Sequence, residues 1–263
     1  MSRNVIVAVA LAMIAAVVAT SGVAAAPVCK ASSGATKVPL VELYTSEGCD
    51  SCPPADRWLS RTFPREGGGN LPIALAFHVD YWDRLGWTDR FASPAFTERQ
   101  YTAMRANGNT FVVTPQVLLQ GHEFPADLRA APGQSLERVA REPAVATIEL
   151  SATADATGYE ATATGRIGDS AQRDRAAIAI AYVDSGLVSD IKAGENKGAK
   201  FTHDHVVRAL QAGSAAGASF RYSTRFARPA QAGLAPMLVA FVQNPATGDI
   251  LQALALDLRE CAK

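Results

Sequence analysis

The sequence lacks an excess of either charge: 25 Lys and Arg stand against 25 Asp and Glu in 263 residues. That balance removes the global positive field that draws proteins to nucleic acid or to anionic membranes, so no nucleic-acid partner is expected. Cysteine is scarce at four residues, too few for a small scaffold built on disulfides but enough for one structural bridge and one reactive pair. Beyond the N-terminus no apolar stretch is long enough to span a membrane, and no fixed-period repeat or low-complexity tract stands out. Disorder is excluded too, because 48% of the residues are hydrophobic and the net charge is zero.

The N-terminus reads as a targeting segment. Arg3 precedes the apolar run Val5–Val18, and the small residues Val23, Ala24, Ala25 and Ala26 follow. This is the pattern of a secretory signal peptide over residues 1–26, cleaved after Ala25 or Ala26. A membrane anchor would need about 20 apolar residues. Ala26-Pro27-Val28 ahead of Cys29 does not form a lipoprotein box. A periplasmic or secreted location is expected, where disulfides persist, with no membrane attachment after cleavage.

Two textures divide the mature chain. In residues 27–143 the apolar run Pro39–Thr45 predicts a strand, Pro53–Phe63 a helix, Leu71–His78 a buried strand, and Ser93 caps a helix running to about Ala106. Phe111–Gln120 is a strand interrupted at Thr114-Pro115, a short strand follows Gly121-His122, and Ser135–Glu142 closes the unit as a helix. Two successive strand–helix–strand crossovers call for a parallel sheet with an antiparallel edge. In residues 144–263 the segments Thr147–Ala152, Tyr159–Ile167, Ala177–Val183, Met237–Gln243 and Ile250–Leu258 read as strands, with little helical periodicity. The expected fold class is an α/β N-terminal domain, which the cysteine motif below makes thioredoxin-like, plus an all-β, sandwich-like C-terminal domain.

Chemistry concentrates where the first strand meets the first helix. Cys49-Asp50-Ser51-Cys52 places two thiols three positions apart at a helix start. There the thiolate of the leading Cys49 is favoured and Cys52 can resolve a mixed disulfide. A CxxC between strand and helix is the arrangement of a thioredoxin-like active site. The reading requires the dithiol to lie exposed at the sheet's edge. A static bridge is the plain alternative; zinc would need a second ligand pair of suitable spacing, and no second CxxC exists. Thr114-Pro115, opening a later strand, stands where such folds carry a cis proline beside the thiols; an ordinary trans proline at an edge strand is the alternative, and the isomer is left open. His78, Asp80, Trp82 and Asp83 cluster with Trp87 after the second strand. They are a candidate site wall, the aromatics for substrate contact and Asp80 or His78 for proton transfer; the alternative is a polar loop pinned by tryptophans. His203-Asp204-His205 invites a metal reading but is taken as a surface loop or cap, and Gly194–Gly198 as a tight turn, so no metal site is expected. Cys29 and Cys261, near the two ends of the mature chain, are expected to form a structural disulfide.

The segments Thr45–Asp56 (TSEGCDSCPPAD), His78–Asp83 (HVDYWD) with Gly86-Trp87, and Thr114-Pro115-Gln116 together resemble a secreted thioredoxin-like family known as domain of unknown function 1223. Gly194–Gly198 (GENKG), His203 and Val206-Val207-Arg208 are similar to its second-half signature. The resemblance covers about Pro39 to Leu258 and implies the fold more than a reaction. The Asp-Ser pair between the cysteines departs from the Gly-Pro of thioredoxin, leaving the direction of exchange open. The expected function is an exported thiol–disulfide oxidoreductase without cofactor. Cys49 attacks, Cys52 resolves, Thr114 and Pro115 shape the groove, and an exported protein or small thiol or disulfide is the substrate. The alternatives are a non-catalytic binding module with a structural Cys49–Cys52 bridge, and a copper(I)-handling protein using the same thiolates. Oligomeric state is left open.

Overall fold

The computed structural model describes residues 28–65 and 68–262. The segment expected to be a signal peptide, residues 1–26, lies outside the described residues. The chain opens with β1 (Val28–Ser32) and β2 (Leu40–Thr45). Then come α1 (Pro53–Thr62), β3 (Ile73–His78), α2 (Pro94–Ala106), β4 (Gln116–Leu119), β5 (His122–Glu123), α3 (Ala126–Ala130) and α4 (Gly133–Arg141). Apart from short 3₁₀ segments at Ser170–Gln172 and Leu258–Ala262, the regular elements that follow are strands: β6 (Ala146–Ala154), β7 (Gly158–Ile167), β8 (Ala177–Asp184), β9 (Leu187–Asp190), β10 (Lys200–His203), β11 (Val206–Ser214), β12 (Ser219–Ala227), β13 (Met237–Gln243) and β14 (Ile250–Asp257).

The expected fold class is corrected here. An α/β layer of its own does not form: one eight-stranded sheet runs β14-β13-β8-β11-β3-β2-β4-β5, joining strands from both halves of the chain. The junction is β3 with β11, parallel, with Val206 opposite Ala76 and the Ala76 amide donating to the His205 carbonyl at 2.7 Å. The physical reason is the edge. β3 is buried along its whole length, and an apolar strand with one open side would leave its amides and carbonyls unpaired away from water. β11 closes that side. The second half is likewise not a separate sandwich: β8, β11, β13 and β14 extend the large sheet, while β6, β7 and β12 pair with the N-terminal β1 in a sheet ordered β1-β6-β7-β12. The strand directions are corrected too. β2 and β3 are parallel, but β4 runs antiparallel to β2, so only one of the two expected crossovers is of the parallel kind.

Burial follows from this layering. β2 sends Val41 and Leu43 to one face and Leu40 and Tyr44 to the other, which is why it shows an apolar run rather than alternation. One face of the large sheet is continuous: Leu75, Phe77, Val183, Val239 and Phe241 meet Phe96 and Ala103 of α2. The opposite face is covered in two parts. α1 and α4 pack Leu59 and Val139 on Ala74, Ala76 and Val117 at one end. At the other the four-stranded sheet packs Ile148 and Leu150 against Ile178, Ile180, Leu238 and Leu254. Each such large side chain contributes about 1.5–3 kcal/mol by leaving water. Cys29 of β1 and Cys261 are joined by a disulfide, closing a sequence separation of 232 residues. Gly121, with φ 84°, lets the β4–β5 turn touch the loop before β14, because a Cβ there would meet the Gly248 carbonyl oxygen at 1.9 Å.

Candidate functional site

The site begins at the C-terminal end of β2. Ser46–Ser51 turns away from the sheet and α1 starts at Pro53-Pro54, whose missing amides remove two of the donors a helix N-terminus leaves unpaired. The two remaining early amides, of Ala55 and Asp56, both donate to the Cys52 carbonyl, at 2.9 and 3.2 Å. Cys49 and Cys52 are joined as a disulfide with Cα atoms 5.4 Å apart.

Thr114-Pro115, just before β4, lies against this disulfide, and the bond between them is cis. The Thr114 hydroxyl is 3.4 Å from Cys49 Sγ and the Thr114 carbonyl oxygen 3.8 Å from it. Ser51 bridges the same gap, its hydroxyl 3.4 Å from Cys49 Sγ and donating to the Thr114 carbonyl at 3.5 Å. A shallow, mainly apolar cavity of about 290 Å³ opens beside them, lined by Ser51, Pro54, Trp58, Pro115, Ala126 and Arg129.

The expected exposure of the dithiol is corrected. Cys49 and Cys52 are both 0% exposed, while Asp50 and Ser51 between them face solvent. The cover comes partly from a segment read from sequence as a plain tight turn. Gly194–Gly198 is the tip of the β9–β10 hairpin, and Asn196 Nδ2 donates to the carbonyls of Glu47 and Cys49 at 2.9 and 3.0 Å. Glu195 accepts from the Asp50 amide at 3.4 Å. Gly194 leaves only enough room for Trp87, whose Cβ would lie 3.1 Å from an added side chain.

Beneath the turn lies a buried polar hub. Glu47, 1% exposed, accepts from Trp87 Nε1 at 2.7 Å and faces His203 Nε2 at 3.3 Å. Its amide donates at 2.8 Å to Asp89, which also receives the Phe91 amide and pairs with His78 Nδ1 at 2.7 Å. Burial alone would raise the Asp89 carboxyl, but the facing His78 and the two amides outweigh it and hold it below the usual range. Burial opposes protonation of His78, and Asp89 overcomes that to push it up. Glu47 is likewise held low against its burial, chiefly by His203. Asp56, whose carboxyl accepts from Thr45 Oγ1 at 3.1 Å, is pushed up by burial.

The sequence candidates therefore separate. Cys49, Cys52, Thr114 and Pro115 come together. Trp82 reaches the disulfide through Thr114, whose hydroxyl accepts from Trp82 Nε1 at 2.8 Å, and the indole-bearing residue packs so closely on Gly48 that an added Cβ would sit 3.1 Å from its own Cβ. His78 belongs to the buried hub. Asp80 instead accepts from Thr97 of α2 at 2.6 Å, and Asp83 accepts from the Asp89 amide at 3.1 Å. His203, Asp204 and His205 are not a surface loop: all three are buried, His203 on Glu47 and Asp204 against Arg65 at 2.6 Å. Among the described residues no group of three or more His, Cys, Asp or Glu is arranged to hold a metal ion. Glu47, Asp89 and Asn196 escaped sequence reading. Glu47 and Asn196 stood inside segments already singled out, but their partners lie as far as 149 positions away.

Comparison with known proteins agrees with this architecture. A crystal structure of a protein from Agrobacterium tumefaciens is similar at 28% identity and a TM-score of 0.56, covering 84% of this chain and 94% of that one. The protein HBP35 of Porphyromonas gingivalis, at 16% identity and a TM-score of 0.62 over 87% of this chain and 77% of that one, shares the fold. No curated protein matches the chain. Residues 40–243 match the model of a family described as a protein of unknown function, DUF1223, and the chain belongs to that family.

Proposed function

We propose that the protein is an exported thiol–disulfide oxidoreductase, acting on cysteines of other exported proteins or on small thiols and disulfides. The observation that carries the reading is the set of polar groups converging on one sulfur: two hydroxyls, of Thr114 and Ser51, each 3.4 Å from Cys49 Sγ. The Thr114 hydroxyl, joined by the Ser51 hydroxyl when its one proton turns from the Thr114 carbonyl to the sulfur, favours a thiolate at Cys49, the species that attacks a disulfide and leaves readily from one. The position of Cys49 ahead of α1 adds the positive end of the helix.

From the disulfide form, a partner thiolate attacks Cys49 Sγ, the Cys49–Cys52 bond breaks, and Cys52 departs with the electron pair. A second partner thiolate then attacks its own sulfur in the mixed disulfide. The partner leaves oxidised, and Cys49 and Cys52 hold the two electrons and take up two protons. Run backwards, the same steps reduce a partner. Either way the attacking sulfur needs a path to the buried Cys49, and the hairpin tip is fastened beside it by Asn196 on the Cys49 carbonyl. Lifting that tip breaks the two neutral Asn196 hydrogen bonds, worth about 1 kcal/mol each, and the longer, exposed Glu195–Asp50 contact, a cost thermal fluctuation supplies.

The complete burial of both cysteines favours a second reading, a binding module in which the bridge only fastens β2 to α1. Replacing the resolving thiol separates the two. In Cys52→Ser the mixed disulfide cannot be released from within, so the protein recovered from its native envelope carries partners joined through Cys49. Their absence under non-reducing conditions, with Cys49 still a free thiol, would count for the structural bridge.

A further inference from the structure

We infer that Trp82 is a positioning residue for Cys49, acting through the hydroxyl of Thr114; the inference rests on the oxidoreductase reading of this site. An indole N–H is a donor only. At 2.8 Å from Trp82 Nε1, Thr114 Oγ1 must therefore accept, and the hydroxyl's single proton is left to point elsewhere. Cys49 Sγ lies 3.4 Å from that oxygen. The Tyr81 phenol also lies near the Thr114 hydroxyl. Its own proton goes to Gln100 Oε1 at 3.2 Å, and burial keeps the phenol neutral by pushing its pKa up, so its oxygen competes only as an uncharged acceptor. Once the disulfide is reduced and Cys49 ionises, releasing its proton to water, the negatively charged sulfur is the stronger acceptor and takes the hydrogen bond.

The indole is held for this task. Trp82 ends the loop after β3 just ahead of a single 3₁₀ turn, Asp83–Leu85, and its Cβ rests on Gly48, one residue before Cys49. A side chain at Gly48 would crowd Trp82 at its Cβ. The relay Trp82–Thr114–Cys49 thus ties two separate loops to the leading sulfur. The aromatic ring serves the thiolate's stability rather than substrate contact.

The test is the pH dependence of Cys49 alkylation in the Cys52→Ser protein, where Cys49 is the one thiol outside the Cys29–Cys261 bridge. Trp82→Phe keeps the ring and removes the N–H, so the midpoint for alkylation should move up by about one pH unit, a tenfold loss of thiolate below it. Thr114→Val should move it at least as far, Thr114→Ser should leave it in place, and Trp82→Phe added to Thr114→Val should move it no further. A midpoint unmoved by Trp82→Phe, or shifts that add in full, would overturn the relay. Should Trp82→Phe not fold, an unmoved midpoint in Thr114→Val does the same. A protein that traps no partner but shows these shifts loses the oxidoreductase reading and keeps the relay; the converse pattern loses the relay alone.

Discussion

Replacing Asp89 with alanine should destabilise the protein by about 3–5 kcal/mol, as measured by urea unfolding near pH 5.5. Both members of the His78–Asp89 pair have fully buried side chains, and Asp89 also receives the Glu47 and Phe91 amides. Removing the carboxylate strands an imidazolium and two backbone donors at once, and a buried charge without its partner is among the costliest defects a core can contain. The loss should depend on pH in a definite sense. The folded pKa of His78 is raised, so its contribution is full below the unfolded value of about 6.5 and fades as pH climbs through the folded value. The folded pKa of Asp89 is lowered, so its contribution is full above about 3.9 and fades as pH falls through the folded value. The gap between wild type and variant should be widest from about pH 4 to 6.5 and narrow on both sides. A gap that is flat with pH, or under about 1 kcal/mol, would show that this pair does not anchor the Ser46–Cys49 turn.

Separating Cys29 from Cys261, by serine at both positions, should lower stability by about 2–5 kcal/mol. The bridge closes a separation of 232 residues, for which the chain-entropy model gives about 5 kcal/mol, reduced by any residual order in the unfolded chain. It also holds β1 at the edge of the four-stranded sheet, where β1 pairs with β6 from Val28 opposite Thr153 to Ser32 opposite Glu149. Thermal unfolding of the double serine variant measures the loss. A midpoint equal to that of wild type would mean that packing alone keeps the two ends together.

What was legible in the sequence is what local pattern encodes. β2, β3 and β8 are largely apolar runs, broken in β2 by Glu42, Ser93 caps α2 by accepting from the Ala95 amide, and α1 announces itself with two prolines. β12 is hard to read from sequence because most of its residues are exposed, with Phe220 and Phe226 buried and Tyr222 partly so, separated by polar residues. β1 and β10, at five and four residues, are too short to show a period. The continuity of the large sheet was illegible for a different reason: Ala76 meets Val206 across 130 positions, and no local signal marks a strand edge that another segment will close. The site divides the same way. Spacing reveals Cys49 and Cys52, and the Thr-Pro pair marks itself. The hub does not, because polar residues such as Glu47 and His203 look solvated in sequence until distant partners bury them, and Asn196 shows its role only once its partners are in place. The same blindness underlies the expectation of an exposed dithiol, since Glu195 on the hairpin tip beside it lies 145 positions after Asp50.

The central claim, that Cys49–Cys52 is a working dithiol, is met most directly by its reduction potential in a graded glutathione buffer, read by alkylation and mass with Cys29–Cys261 as the internal reference. The account predicts a value within the range of exchange proteins, from about −270 to −120 mV. A pair that stays oxidised below about −300 mV, alongside the reference bridge, would contradict it.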